Sequence, residues 1–514
     1  MKKITNYIIA GILGCALFTG CSDDALDTAP TGSMPGGGIA DNASSAIVAL
    51  NGMYRSMYSS WSPASNTHQS FGISSYTLMA DLMGEDMIQA AAGSGWFWYD
   101  CLYQVKDMYA SQGWRPYDLW NCFYTWINSA NSLLVGDGTM QGSTAEVNYV
   151  LGQAYAIRAY SYFMLAQNFA RTYKGHEDEP CCPIYTKPTD TETQGQPRST
   201  VKDVYKQIIL SDINRSIELL GNSSKRKHIS HIDVSVAYGL LARIALTMED
   251  WNTAYDAAVA AIDNSGCQIQ PVDAFAGLND VNAGNVMWGA AIRSDQSTMY
   301  ASFFSHLDYD LGAYAQSAPK QISKDLYALM SASDSRRDWW DMKHIANSDN
   351  SGYTQEKFKS SNTQTWEGDY IWMRVEEMHL IAAEAACRKG DEPTARKYLR
   401  NLMSKRDLTY PIDNLTGTAL GATTSERTGS LLEAIIDQRR IELWGEYGRV
   451  WDIRRLKQGF VRTTEMGWPT DALLTGRPTD NPENYMWVMT IPQTEFDGNA
   501  SLNPVTDQNP LGDE

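Results

Sequence analysis

The sequence predicts a mainly α-helical fold, in which paired helices build a superhelical scaffold that carries large loop-rich insertions and a few short strands. Three observations predict it. Helical periodicity dominates from Asn42 onward. Two segments, starting at Ser235 and Arg374, each read as helix, polar turn, helix. Around them the chain turns to Gly, Asn, Asp, Ser and aromatics over long stretches. Irregular segments of that length inside a compact protein usually carry function.

The elements follow in order. "MKK" and the apolar "IIAGILGCALF" form a secretory signal over residues 1–20, too short to span a bilayer as a helix. "LFTGC" resembles a lipoprotein cleavage box, which makes Cys21 the expected lipid anchor. Stable anchoring needs more than one acyl chain, each buried CH₂ contributing about 0.8 kcal/mol. Residues 21–40, with "SDDALDTAPTGSMPGGG", read as a flexible tether. The remainder, 41–514, is expected to be one unit: a helical scaffold over about 41–85, 113–266 and 369–460, and loop-rich regions over about 86–112, 267–368 and 461–514.

"NASSAIVALNGMYRSMY" places Ile47, Leu50, Met53, Tyr54 and Met57 on one helical face, and "EVNYVLGQAYAIRAYSYFMLAQNFA" repeats the pattern. The units "SVAYGLLARIALTMEDWNTAYDAAVAAIDNSG" and "RVEEMHLIAAEAACRKGDEPTARKYLRNLMSKR" resemble tetratricopeptide helix pairs, with Ala254, Ala258, Ala261 and Ala395 small enough for close packing. Short strands are expected at "NVMWGAAI" and "EKFKSS". Trp288, Trp339 and Trp340 read as packing residues.

Composition narrows the function. The 514-residue chain is 43% hydrophobic and 20% charged, with a formal net charge of −18. Such an acidic chain repels nucleic acid. Sixteen Trp and 28 Tyr stand against 12 Phe, a skew toward rings with a polar handle that suit half-exposed positions. No HExxH, Walker loop, GxSxG elbow or EF-hand loop is present, and "HISH" lacks a carboxylate cluster beside it. No metal or cofactor is expected. Cys101, Cys122, Cys181, Cys182, Cys267 and Cys387 show no zinc spacing and read as free thiols. In "DQRRIELWGEYGRVWDIRRLKQG" acids alternate with arginines, the pattern of a structural ion-pair network.

"GSGWFWYD" crowds four aromatics together. If this stretch is helical, Trp96, Tyr99 and Tyr103 share a face. If it is extended, Trp96 and Trp98 share one side and Phe97 and Tyr99 the other.

The arginine-rich segment also carries a resemblance. Arg440, Glu442, Leu443, Glu446, Gly448, Arg449, Trp451, Asp452, Arg454 and Arg455 are similar to the signature of the SusD/RagB family of Bacteroidetes outer-membrane lipoproteins. Tyr447 departs from it. Trp120, Tyr124, Ile127, Ala130 and Asn131 agree in spacing, as do Arg158 and Ala159, and Arg374, Glu377, Leu380, Ile381, Ala383, Glu384 and Ala385. "IPQTEF" and "DQNP" match the closing elements, with Leu511 and Gly512 in place of a final Gly-Tyr. The acidic residues after Cys21 resemble the surface-export signal of such lipoproteins.

The resemblance implies a non-enzymatic, surface-exposed outer-membrane lipoprotein that captures glycans and passes them to a SusC-like TonB-dependent transporter. Peptide or glycopeptide capture by the same architecture is the alternative, and a secreted glycoside hydrolase a more distant one. It also implies a site built from residues 86–112 and 288–316. A sugar offers an apolar C–H face and a rim of hydroxyls, so it needs flat rings and a few hydrogen-bonding side chains. The candidates are Trp96, Trp98, Tyr99, Arg293, Asp295, Tyr300, Tyr309 and Tyr314.

Overall fold

A computed structural model describes residues 38–59, 68–104, 112–341 and 352–511. Residues 1–20, Cys21 and most of the tether lie outside them. The architecture is mainly α. The principal helices are α1 (Ala43–Ser56), α2 (Ile73–Leu82), α3 (Trp114–Leu134), α4 (Thr144–Phe169), α5 (Leu210–Gly221), α6 (Val234–Thr247), α7 (Trp251–Ser265), α8 (Val375–Arg388), α9 (Glu392–Met403), α10 (Leu431–Glu442) and α11 (Arg449–Leu456). No helix among the described residues is long and apolar enough to cross a membrane.

Neighbours in sequence pack as neighbours in space: α3 on α4, α4 on α5, α6 on α7, and α8 on both α7 and α9. Short links force two of these pairings. Three residues join α6 to α7 and three join α8 to α9. Both turns are closed in the same way. Asp250 and Asp391 each cap the following helix, accepting from Thr253 N and Thr394 N at 3.2 Å. The residue before each cap is left-handed, Glu249 at φ 59° and Gly390 at φ 82°. Buried Ala254, Ala257, Ala258 and Ala261 let α7 approach its partners closely. At Gly239 of α6, a Cβ would lie 2.4 Å from Met373 Sδ, so an added side chain would have to push the Met373 thioether aside.

Helix α4 starts from a Ser143–Glu146 capping box and is buried nearly all round, not on one face alone. Its Arg158 grips Asp212 of α5 through two bonds, 2.6 and 2.8 Å, and donates to Asn131 Oδ1 of α3 at 2.7 Å. The arginine-rich segment forms a buried ion-pair network. Glu442 receives Arg374 and Arg406 at 3.0 and 2.9 Å, Arg440 meets Asp86 at 2.6 Å, Arg449 meets Glu85 at 2.9 Å, and Arg455 meets Glu384 at 2.6 Å. Several partners are distant in sequence, so the network ties α10 and α11 to α2, α8 and residues 85–86. Breaking one side of such a pair leaves an uncompensated buried charge.

Six short strands among the described residues complete the picture: β1 (Met87–Gln89), β2 (Val286–Ala290), β3 (Lys320–Ile322), β4 (Trp340–Asp341), β5 (Tyr353–Gln355) and β6 (Tyr370–Arg374). β2 lies in "NVMWGAAI", with Trp288 fully buried on it. "EKFKSS" is not a strand. β5 stops at Gln355, and Lys357 turns inward to donate to Glu442 O, Trp444 O and Glu446 Oε1 at 2.7, 2.8 and 2.6 Å. Trp339 and Trp340 are buried, and all six described cysteines are free, the adjacent Sγ atoms of Cys181 and Cys182 lying 3.8 Å apart.

The sheet order β1-β3-β5-β4 matters for the site. β1 and β3 pair antiparallel, with Met87 opposite Ile322 and Gln89 opposite Lys320. The end of one strand thus faces the start of the other. The loop leaving β1 and the segment entering β3 therefore emerge at the same edge.

Candidate functional site

At that edge five rings gather. Trp96 comes from the loop after β1, and Tyr300 and Tyr314 from the segment before β3. His68 and Trp366 join them from two other parts of the chain. His68 is the hub. Its ring centroid lies 5.4 Å from Trp96, 5.8 Å from Tyr300 and 5.7 Å from Tyr314, and its Nδ1 shares a hydrogen bond with the Tyr314 hydroxyl. Trp96 stands edge-on to Tyr314 at 6.1 Å, and Trp366 edge-on to Tyr300 at 4.8 Å. Tyr300 is 48% exposed, while His68, Trp96, Tyr314 and Trp366 are half-buried. The group offers inclined aromatic faces at the surface, held by one another from behind.

Local structure fixes each ring. The peptide between Trp96 and Phe97 is clamped by two buried glutamines. Gln89 Nε2 donates to Trp96 O at 3.1 Å, and the Phe97 N–H donates to Gln69 Oε1. Phe97 is left-handed (φ 61°), as are Met299 (φ 49°) and Trp366 (φ 57°). Non-glycine residues in this region cost of order 1–3 kcal/mol each, and such strain clusters at binding sites. Gly93 allows the loop to close on Ser317 and Ala318. Its φ is 52°, and a Cβ there would lie 2.9 Å from Ala318 Cβ.

Beneath the rings the interior is polar and largely neutral. His306 stacks on Tyr314 at 5.0 Å and is 1% exposed. Its Nε2 donates to His68 O at 2.8 Å, which puts the lone pair of the neutral ring on Nδ1. That atom has no partner among the described residues, and neither has Trp96 Nε1. Burial pushes the His306 pKa down to about 3, with Lys320 adding to the effect. Lys320 itself is buried, with Nζ donating to Ala318 O at 2.9 Å, and burial lowers its pKa to about 7. No group of acidic, histidine or cysteine side chains among the described residues is arranged to hold a metal ion.

The structure sorts the remaining candidates. "GSGWFWYD" is neither a continuous helix nor a strand. The left-handed Phe97 breaks it, and a short turn, Trp98–Cys101, follows. As a result Trp98 points inward and is 7% exposed, so it is not an outward-facing ring. Buried Arg115 holds this turn from α3, binding Asp100 at 2.9 and 2.8 Å. Tyr99 is 50% exposed. Arg293 and Asp295 pair with each other at 3.2 Å in a highly exposed turn. Tyr309 sits half-buried in the turn Tyr309–Leu311. His68, Trp366, Gln69 and Gln89 are not foreseen from the sequence. None has a local pattern that announces it.

Two family models match the chain. One, described as "Starch-binding associating with outer membrane", covers residues 74–246. The other, described as "SusD family", covers residues 311–511. The chain belongs to the SusD family. The two SusD matches take in Trp96, Tyr314 and Trp366, whereas His68 and Tyr300 fall outside both.

A curated relative, "SusD-like protein P2" of Formosa agariphila, is 24% identical over 424 residues, spanning 75% of this chain and 79% of that protein. Among solved structures, a SusD-like carbohydrate binding protein from Bacteroides vulgatus superposes with a TM-score of 0.74 at 24% identity, covering 90% of this chain and 97% of the other. Surface glycan-binding protein A from Bacteroides thetaiotaomicron, solved in complex with laminarihexaose, superposes with a TM-score of 0.64 at 16% identity, covering 90% and 98%. These likenesses establish the SusD fold of the present chain.

Proposed function

We propose that this protein is a cell-surface lipoprotein, anchored through Cys21, that captures a glycan on the ring cluster of His68, Trp96, Tyr300, Tyr314 and Trp366. It delivers the glycan to a SusC-like TonB-dependent transporter in the outer membrane and performs no catalysis itself. The cluster is the observation that carries the reading. Sugar C–H faces stack on exposed rings, and partly exposed hydroxyl and indole groups can meet sugar hydroxyls. Family membership and the glycan-bound relative support it.

Affinity electrophoresis of the soluble protein lacking residues 1–21, run through gels containing single polysaccharides, tests it. At least one polysaccharide should retard the protein. Trp96→Ala and Tyr300→Ala should each weaken that retardation about tenfold or more, since a stacked ring contributes about 1–3 kcal/mol to binding. Trp98→Phe, a change at a buried ring, should leave it nearly intact. Retardation that survives both alanine changes would place the ligand elsewhere. Retardation by none of the polysaccharides, with binding of peptides at the same rings, would change the ligand class.

A further inference from the structure

Three parts of the chain meet at His176. The histidine lies in the loop that leaves α4. Lys457 caps the end of α11 in a left-handed conformation, φ 53°. Glu483 and the short turn Tyr485–Trp487 belong to the long C-terminal loop region. His176 Nδ1 lies 3.0 Å from Glu179 Oε1, and its Nε2 lies 2.9 Å from Glu483 Oε1. The side chain is 10% exposed. Among the described residues no other histidine has a carboxylate on a ring nitrogen.

This geometry sets the protonation state. Both contacted oxygens are acceptors, so both ring nitrogens must donate. Only imidazolium carries two N–H groups. A neutral ring in the same place would donate to one glutamate and turn a lone pair on the other.

The neighbouring charges come from all three parts. In the loop after α4, Arg171 holds Glu179 through two bonds, that from Nε being 2.8 Å, and Lys174 lies 3.9 Å from Glu177, whose charge also acts on the ring. At the end of α11, Lys457 pairs with Glu483 at 2.8 Å, while Arg454 is committed to the carbonyls of Gln167 and Ala170. In the C-terminal turn, Tyr485 donates its hydroxyl to Glu179 Oε2 at 3.1 Å, and the Arg171 guanidinium lies 4.4 Å from its ring centre. Burial works against both carboxylates. The bonds from Arg171 and His176 nevertheless hold Glu179 below the usual range, and those from Lys457 and His176 do the same for Glu483. Both glutamates therefore stay charged while the imidazole gains or loses its proton.

We infer that His176 is a pH-sensitive clasp. As imidazolium it fastens residues 483–487 to the loop after α4, and on losing its proton it gives up one of its two contacts. The clasp is complete in acid and weakens as pH rises through the ordinary range of imidazole, about 6.5. Trp487 of the fastened turn stands edge-on to Tyr103 at 4.8 Å, so the clasp steadies a support of the segment that follows Trp96. It does not depend on the glycan reading of the ring cluster.

Hydrogen–deuterium exchange of the soluble protein tests the proposal, read by mass spectrometry at about pH 5.5 and about pH 8.5 and corrected for the intrinsic rate at each pH. The amides of Asn484, Trp487 and Val488 are bonded within the turn and report on it. They should exchange about tenfold faster at the higher pH, the loss of one charge-assisted contact being worth roughly that factor. His176→Gln should remove the step and show the faster rate at both pH values. Glu483→Gln should also remove the step, because its amide can donate to a neutral ring. Helix α7, which contributes no group to the clasp, should show no such acceleration. An unchanged rate in the parent, a step that survives His176→Gln, or the same step in α7 would overturn the proposal.

Discussion

At the residue scale, the site is governed by buried groups that no surface pattern reveals. Trp96 turns outward and Trp98 inward because Phe97, between them, adopts a left-handed conformation held by Gln69. Lys320 is the sharpest case. Its buried ammonium has a pKa lowered to about 7, against an unfolded value near 10.5. Between those values the unfolded chain binds more protons than the folded one, so stability rises with pH from about 7 to about 10. Below pH 7 the cost of charging Lys320 is fully present. Urea denaturation of Lys320→Met should therefore show greater stability at pH 7, by about 1–3 kcal/mol, and a flattened dependence above it. A variant that is less stable at pH 7, with the same alkaline slope as the parent, would show that Lys320 is well solvated or paired.

At the element scale, the helix pairs are readable from the sequence because both strong signals of a helix are present. The apolar spacing of α6 to α9 is regular, and polar turns with Asp caps separate them. The two turns share one backbone path, yet one places glycine and the other glutamate at the left-handed position. A Cβ added at Gly390 would meet open space, so only backbone conformation opposes a side chain there. Gly390→Ala is expected to cost about 1 kcal/mol and Glu249→Gly to gain up to about 1 kcal/mol, read from thermal melts. Equal signs for the two changes would contradict a shared turn geometry. The strands are far less legible. β1 and β3 have three residues each, too few to show alternation. "EKFKSS" has one apolar residue, Phe358, and so no alternation to sustain a strand, and Glu446 and two carbonyls draw Lys357 inward.

At the scale of the whole molecule, a helical scaffold holds long loops, and one short antiparallel pairing brings two of them to a common edge. The sequence, through its family resemblance, points to residues 86–112 and 288–316, and Trp96, Tyr300 and Tyr314 of those stretches meet in the structure. The sequence could not indicate His68 or Trp366, because His68 meets Tyr300 and Tyr314 across more than 200 residues and Trp366 meets Tyr300 across 66. Nor could it separate exposed Arg293, Asp295 and Tyr99 from the residues that converge. The most direct measurement is a crystal structure of the soluble protein with the oligosaccharide that binds it most tightly. Sugar rings should stack on Tyr300 and at least one of Trp96, Tyr314 and Trp366, with His68 still hydrogen-bonded to Tyr314. An oligosaccharide bound elsewhere, with these five rings bare, would contradict it.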